Sequence, residues 1–184
     1  CKDITGLRGK LMTNATDIHA KFGNVIALDL YAPLEPLHTD LVESERYTGM
    51  LGNKTVYRYL NAPDSWGIKG KHQKAVHVNL NAGSFFSPHR DFFNNMEPKW
   101  LRLNCFANNS HPEECTYVID GQIQNFRPGQ WVCVNTSVVH YSFCFKDNTV
   151  HYIVDIDIGD QTTLNWFLST IEHCQRPIGV EGYK

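Results

Sequence analysis

With 184 residues, 42% hydrophobic and 20% charged, the chain has the composition of a globular domain with a core of its own, not of a disordered segment. A formal net charge of -2 with no block of like charges excludes the basic stripe that nucleic-acid backbones demand, and no apolar run approaches the length of a membrane span. Six cysteines at positions 1, 105, 115, 133, 144 and 174 contain no C-x-x-C pair, which excludes a zinc ribbon and a disulfide framework and leaves free thiols as the expectation.

The first seventy-three residues read as a loop-rich flanking part. They hold one clear strand run, Val25 to Tyr31, then the proline-punctuated segment Ala32-Pro33-Leu34-Glu35-Pro36-Leu37. Between Glu43 and Gly70 the glycines 49, 52, 67 and 70 and Pro63 predict loops with at most a short strand around Val56 to Leu60.

From residue 74 to 158 the pattern changes to short β-rich runs separated by turn residues. They are Ala75 to Leu80, Trp100 to Ala107, Thr116 to Ile119, Gln122 to Phe126, Trp131 to Val134, His140 to Phe145 and Val150 to Ile158. Asp120-Gly121 is a two-residue hairpin signal between two of them. Many short strands at regular spacing predict a mainly β jelly roll, a form that holds small-molecule sites in its mouth. A helix is expected over 160–175, where Leu164, Phe167, Leu168 and Ile171 recur at helical spacing and can cover one sheet. One domain over 1–184 follows, with a β core and a few flanking helices.

The residues richest in chemistry are Pro88-His89-Arg90-Asp91-Phe92. In an extended segment, residues two apart share a face, so His89 and Asp91 can offer an imidazole and a carboxylate to one ion. His140 follows 49 residues after Asp91, within a β run and eleven residues after the Pro128-Gly129 turn. Two histidines and one carboxylate on one face of an octahedral iron(II) leave three positions open, enough for a bidentate 2-oxo acid and dioxygen. His-Arg-Asp also begins the protein-kinase catalytic loop, but Met96 stands where that loop needs an asparagine and no glycine-rich phosphate loop precedes it. Of the other histidines, His72 and His111 read as surface residues. His77 and His151 lie in apolar runs, and a structural role is the simpler reading of His77.

Residues 81–157 resemble the aspartyl/asparaginyl β-hydroxylase group of 2-oxoglutarate oxygenases, and within it the proline 3-hydroxylase-like enzymes. The matching pieces are Pro88-His89-Arg90-Asp91-Phe92, Leu101-Arg102-Leu103-Asn104, Phe126-Arg127-Pro128-Gly129, Val139-His140 and Ile153-Val154-Asp155. The resemblance implies a double-stranded β-helix, the cupin-like jelly roll. It further implies iron(II) held by His89, Asp91 and His140, and oxidation of a substrate by dioxygen coupled to conversion of 2-oxoglutarate to succinate. Arg102 matches an arginine that helps hold the co-substrate. Members of the group usually carry a further arginine about ten residues after the distal histidine, whose bidentate fork meets the far carboxylate. Here that window reads Asn148-Thr149-Val150-His151. Thr149 and His151 fall on one face of it, so the expected co-substrate residues are Arg102, Asn104, Thr149 and His151.

The expected function is hydroxylation of a C–H bond in an amino acid, a peptidyl residue or another small polar substrate, with iron(II), 2-oxoglutarate and dioxygen as cofactor and co-substrates. The missing arginine keeps two alternatives open: a non-redox, cupin-like metal-binding domain and an oxygenase relative without turnover. The partner is then a small-molecule or peptidyl substrate, with no nucleic acid and no membrane span. A soluble, cytoplasmic protein is expected, although a chain opening on Cys1 leaves a removed targeting segment open.

Overall fold

The computed structural model describes residues 14–33, 41–47, 54–91, 99–108 and 112–171. They form α1 (Ala15–Phe22), β1 (Val25–Tyr31), β2 (Leu41–Tyr47), β3 (Lys54–Tyr59), β4 (His72–Leu80), β5 (Phe85–His89), β6 (Trp100–Phe106), β7 (Cys115–Ile119), β8 (Gln122–Ile123), β9 (Gln130–Val134), β10 (His140–Cys144), β11 (Thr149–Asp157) and α2 (Gln161–Thr170). A 3-10 turn at Asp64–Trp66 lies between β3 and β4. The strands make a seven-stranded sheet in the order β1-β9-β6-β11-β4-β3-β2 and a four-stranded sheet in the order β5-β10-β7-β8. From β4 onward the chain passes back and forth between the two sheets, and this alternation of antiparallel strands is the jelly-roll core that the sequence predicted.

The period of two in a strand sorts the large sheet into two faces. Val76, Val78, Leu80, Phe106, Val132 and Val134 face the small sheet and meet Cys115, Tyr117, Ile119 and Cys144 across the interior. Their neighbours Ala75, Leu101, Leu103, Cys105, Trp131, Cys133 and Tyr152 turn the other way and pack with Ile18 of α1, Leu164 and Phe167 of α2, and Trp66. Both faces are therefore dry. This is why β9 is buried at all five positions and β11 at eight of nine, where a half-solvated sheet would alternate. Each large apolar side chain buried in this way contributes about 1.5–3 kcal/mol.

The expected strands of the β core stand within about one residue of their predicted ends, except β4, which starts earlier, at His72, and β8, which stops at Ile123. Asp120 (φ 51°) and Gly121 (φ 74°) make the two-residue turn between β7 and β8, with Ile119 facing Gln122. The expected C-terminal helix is Gln161–Thr170, capped by Asp160, whose carboxylate accepts from the Thr163 backbone N–H at 2.8 Å.

The flanking part departs from expectation. The short strand expected around Val56 to Leu60 is β3, which extends the large sheet beyond β4; the unexpected elements are β2, which pairs with β3, and α1, whose cap is Asn14 accepting from Asp17 N–H at 2.8 Å. Eight residues with only Ile18 and His19 buried carry too little periodicity to announce a helix.

One close approach fixes the exit of the 3-10 turn region. Gly70 has φ 90°, and a Cβ there would meet Thr163 Cα at 2.9 Å, with Thr163 Oγ1 closer still. That hydroxyl accepts the Lys71 backbone N–H at 2.8 Å, so the loop before β4 is stitched to α2.

Candidate metal centre

His89 is the last residue of β5, and His140, the first of β10, is its direct cross-strand partner. Asp91 lies two residues beyond His89 and is held by its backbone N–H, which donates to Thr136 carbonyl at 2.9 Å. The three side chains converge: their ligand atoms all lie within 4.8 Å of one another. His89 Nε2 is 3.6 Å from Asp91 Oδ1, and His140 Nε2 is 3.8 Å from Asp91 Oδ2. On the far side of each ring, Nδ1 faces a backbone carbonyl, Ser87 at 2.6 Å for His89 and Val138 at 3.1 Å for His140. A ring that donates from Nδ1 keeps the lone pair on Nε2 and aims it inward, the tautomer a metal ligand needs. The His140 side chain is 5% exposed, and burial leads the effects that hold its pKa below the ordinary histidine value, with His89 and Arg102 adding to it and the Val138 bond opposing. A neutral imidazole is the ligating form.

Behind the triad lies a cavity of about 220 Å³ between the two sheets. Its walls include the triad, Arg102 and Asn104 of β6, His151 and Ile153 of β11, Tyr117 of β7, Phe86 of β5 and Lys74 of β4. Arg102 reaches two carboxylates of the protein itself. Its Nε and Nη2 donate to Asp155 Oδ1 and Oδ2 at 2.8 and 2.9 Å, and its Nη1 contacts Asp91 Oδ2. The guanidinium therefore fixes one metal-facing oxygen of Asp91. A ligand carboxylate at Arg102 would compete with these partners.

His151 lies in the wall, stacked on Phe106 with ring centroids 4.2 Å apart, and its Nε2 is 3.0 Å from Asn104 Oδ1. Asn104 is 1% exposed, and its Nδ2 has no hydrogen-bond partner. Thr149 is buried further along β11, outside the lining, and its hydroxyl donates to Lys146 carbonyl at 3.2 Å.

His77 is turned to the opposite face of the large sheet, between Tyr57 and Tyr152, where it stacks on the first and meets the second edge-on. It is thereby removed from the candidate ligands, as the simpler reading held. Among the aromatic residues of these strands, Phe86 lines the cavity. Phe85 stacks on Phe143, and Trp131 is fully buried on the outer face.

Two features were not legible in the sequence. Lys74 stands at the start of the predicted core, yet nothing in Lys74-Ala75-Val76 says which face it takes until β4 is in register with β11. A second cavity, of about 380 Å³, opens between α1, the turn before His140 and β6, and shares Asp91 and Arg102 with the first. Its wall includes Thr16, His19, Trp100 and Asn135. It depends on α1, which the sequence did not announce.

No protein-family model and no curated protein matches this chain. Solved structures do. YcfD of Escherichia coli matches with a TM-score of 0.50 at 8% identity, over 85% of this chain and 56% of that one. An oxidoreductase of the 2OG-Fe(II) oxygenase family from Burkholderia pseudomallei matches with a TM-score of 0.45 at 12% identity, over 64% of this chain and 74% of that one. A predicted oxalate decarboxylase from Thermotoga maritima gives 0.45 at 12%, over 63% and 93%. At 8% identity the likeness to YcfD speaks for the fold alone and leaves the reaction to the site.

Proposed function

We propose that the chain is an iron(II)- and 2-oxoglutarate-dependent oxygenase that hydroxylates a C–H bond of an amino acid, a peptidyl side chain or another small polar molecule. The observation that carries this reading is the convergence of two imidazole Nε2 atoms and one carboxylate on the edge of a cavity that Arg102, Asn104 and His151 also line. The donor set fits iron(II): two neutral nitrogen ligands and one hard oxygen leave half of an octahedron open toward that cavity. Bound iron(II) would supply the activation of dioxygen, coupled to oxidative decarboxylation of 2-oxoglutarate.

The rest is the work of the chain. Ser87 and Val138 carbonyls hold the two imidazoles in their ligating tautomer, and Arg102 orients Asp91. Asn104 and His151 provide polar contacts for the co-substrate, while Phe86 and Ile153 keep water from its stem. The second cavity meets the first at Asp91 and Arg102, which makes it the approach for the substrate.

The deciding measurement is an anaerobic visible spectrum. A weak charge-transfer band is expected only when iron(II) and 2-oxoglutarate are both present, and the His89→Ala variant should lack it. Tight metal binding with no band and no saturable 2-oxoglutarate binding would replace this reading with a non-redox, cupin-like metal-binding domain.

A further inference from the structure

Lys74, Asp155 and Arg102 stand in one cross-strand row on the inner face of the large sheet, because Asp155 is in register with Lys74 on one side and with Arg102 on the other. Both Asp155 oxygens are taken by Arg102, at 2.8 and 2.9 Å. Lys74 is consequently left, among the described residues, with no hydrogen bond or ion pair, although it is half-buried and lines the cavity of the metal triad. Burial depresses its pKa, Arg102 and Arg58 depress it further, and Asp155 only partly opposes them. A half-buried ammonium whose neighbouring carboxylate is already hydrogen-bonded elsewhere is costly, and so is a buried amide N–H without an acceptor. The same cavity holds one of each, since Asn104 Nδ2 is also without a partner and its Oδ1 is already used by His151. The two vacancies share one chemistry: a small anion with more than one acceptor oxygen. The cavity suits a small acid, being below the roughly 300 Å³ at which pockets for larger ligands begin.

We propose that Lys74 holds the remote carboxylate of the 2-oxo acid co-substrate, with the Asn104 amide as a second donor to the same ligand. This rests on the oxygenase reading and names the cation that does the work of the arginine missing from the window 148–151. Arg102 then acts through Asp91 and Asp155 as a positioning residue.

The test compares 2-oxoglutarate with 2-oxopentanoate, which keeps the chain length and the 2-oxo acid but lacks the remote carboxylate. Each is titrated calorimetrically, without oxygen, into the manganese(II)-loaded protein. The wild type should favour 2-oxoglutarate by about tenfold to a hundredfold, the range of one charge-assisted hydrogen bond. Lys74→Met should bring the two affinities together with metal stoichiometry and circular dichroism unchanged, and Lys74→Arg should keep much of the preference. Should the methionine variant misfold, Lys74→Gln carries the same comparison. A Lys74→Met protein that keeps the wild-type preference overturns this assignment alone. A wild type that binds manganese but neither acid overturns the oxygenase reading and this assignment together.

Discussion

Asp155→Ala is the most telling perturbation of this fold, because it separates what Arg102 does for stability from what it does for the metal. The Asp155 side chain is 2% exposed and that of Arg102 13%, so the pair is closed off from water. Removing the carboxylate takes two hydrogen bonds from a guanidinium that keeps its contact with Asp91, and breaking a buried pair from one side costs about 3–5 kcal/mol. A chain of 184 residues moves its midpoint by about 2–4 °C per kcal/mol, so thermal unfolding of the metal-free protein should fall by roughly 6–20 °C. The double variant Asp155→Ala, Arg102→Met should recover much of that loss, since no guanidinium is left short of hydrogen-bond partners. It should nevertheless bind manganese(II) about 10–100-fold more weakly, because Asp91 has lost the group that orients it. Denaturant unfolding of the single and double variants, with metal titration of each, reads both quantities. A single-variant cost below about 1 kcal/mol would mean a solvated pair of the surface kind and would refute the reasoning. So would a double variant as unstable as the single one.

Replacing His89, Asp91 or His140 with alanine should each abolish stoichiometric metal binding while the β circular-dichroism signal persists; a variant that retains full metal occupancy would show that its residue is not a ligand. Gly70→Ala should destabilise the protein by about 2 kcal/mol or more, since φ 90° and the Thr163 backbone both oppose a Cβ, and an unchanged unfolding midpoint would count against the loop-to-α2 stitch. His19 is buried, and burial, against the opposing bond to Gly23 carbonyl, holds its folded pKa below the ordinary histidine value of about 6.5. The unfolded chain therefore takes up a proton that the folded one refuses. This contribution is fully present above about pH 6.5 and is lost as the pH falls below it. His140 shifts in the same direction, so metal-free protein should lose stability as the pH falls below about 6.5, and His19→Phe should flatten that slope in urea titrations.

What the sequence determined by itself was local. Alternation and turn chemistry placed the core strands, because the side-chain period of a strand and the φ > 0 demand of Asp120-Gly121 are written in a few consecutive residues. The spacing of two between His89 and Asp91 marked half of the candidate metal set for the same reason, and His140 stood out from the Pro-Gly turn before it. What only the tertiary structure decided was which distant residues share a row. Arg102 belongs to Asp155 because β6 and β11 are in that register, and His77 leaves the site because a strand shows alternate residues to opposite faces of a sheet that is dry on both. Lys74 enters the cavity on the same grounds: its role depends on Asp155 being consumed from the other side, a competition of β4 and β6 for a residue of β11 more than fifty residues further along the chain. A one-residue slip in any of these pairings would exchange cavity-facing and outer-face side chains along the whole strand, which is why no local window of the sequence could have announced them.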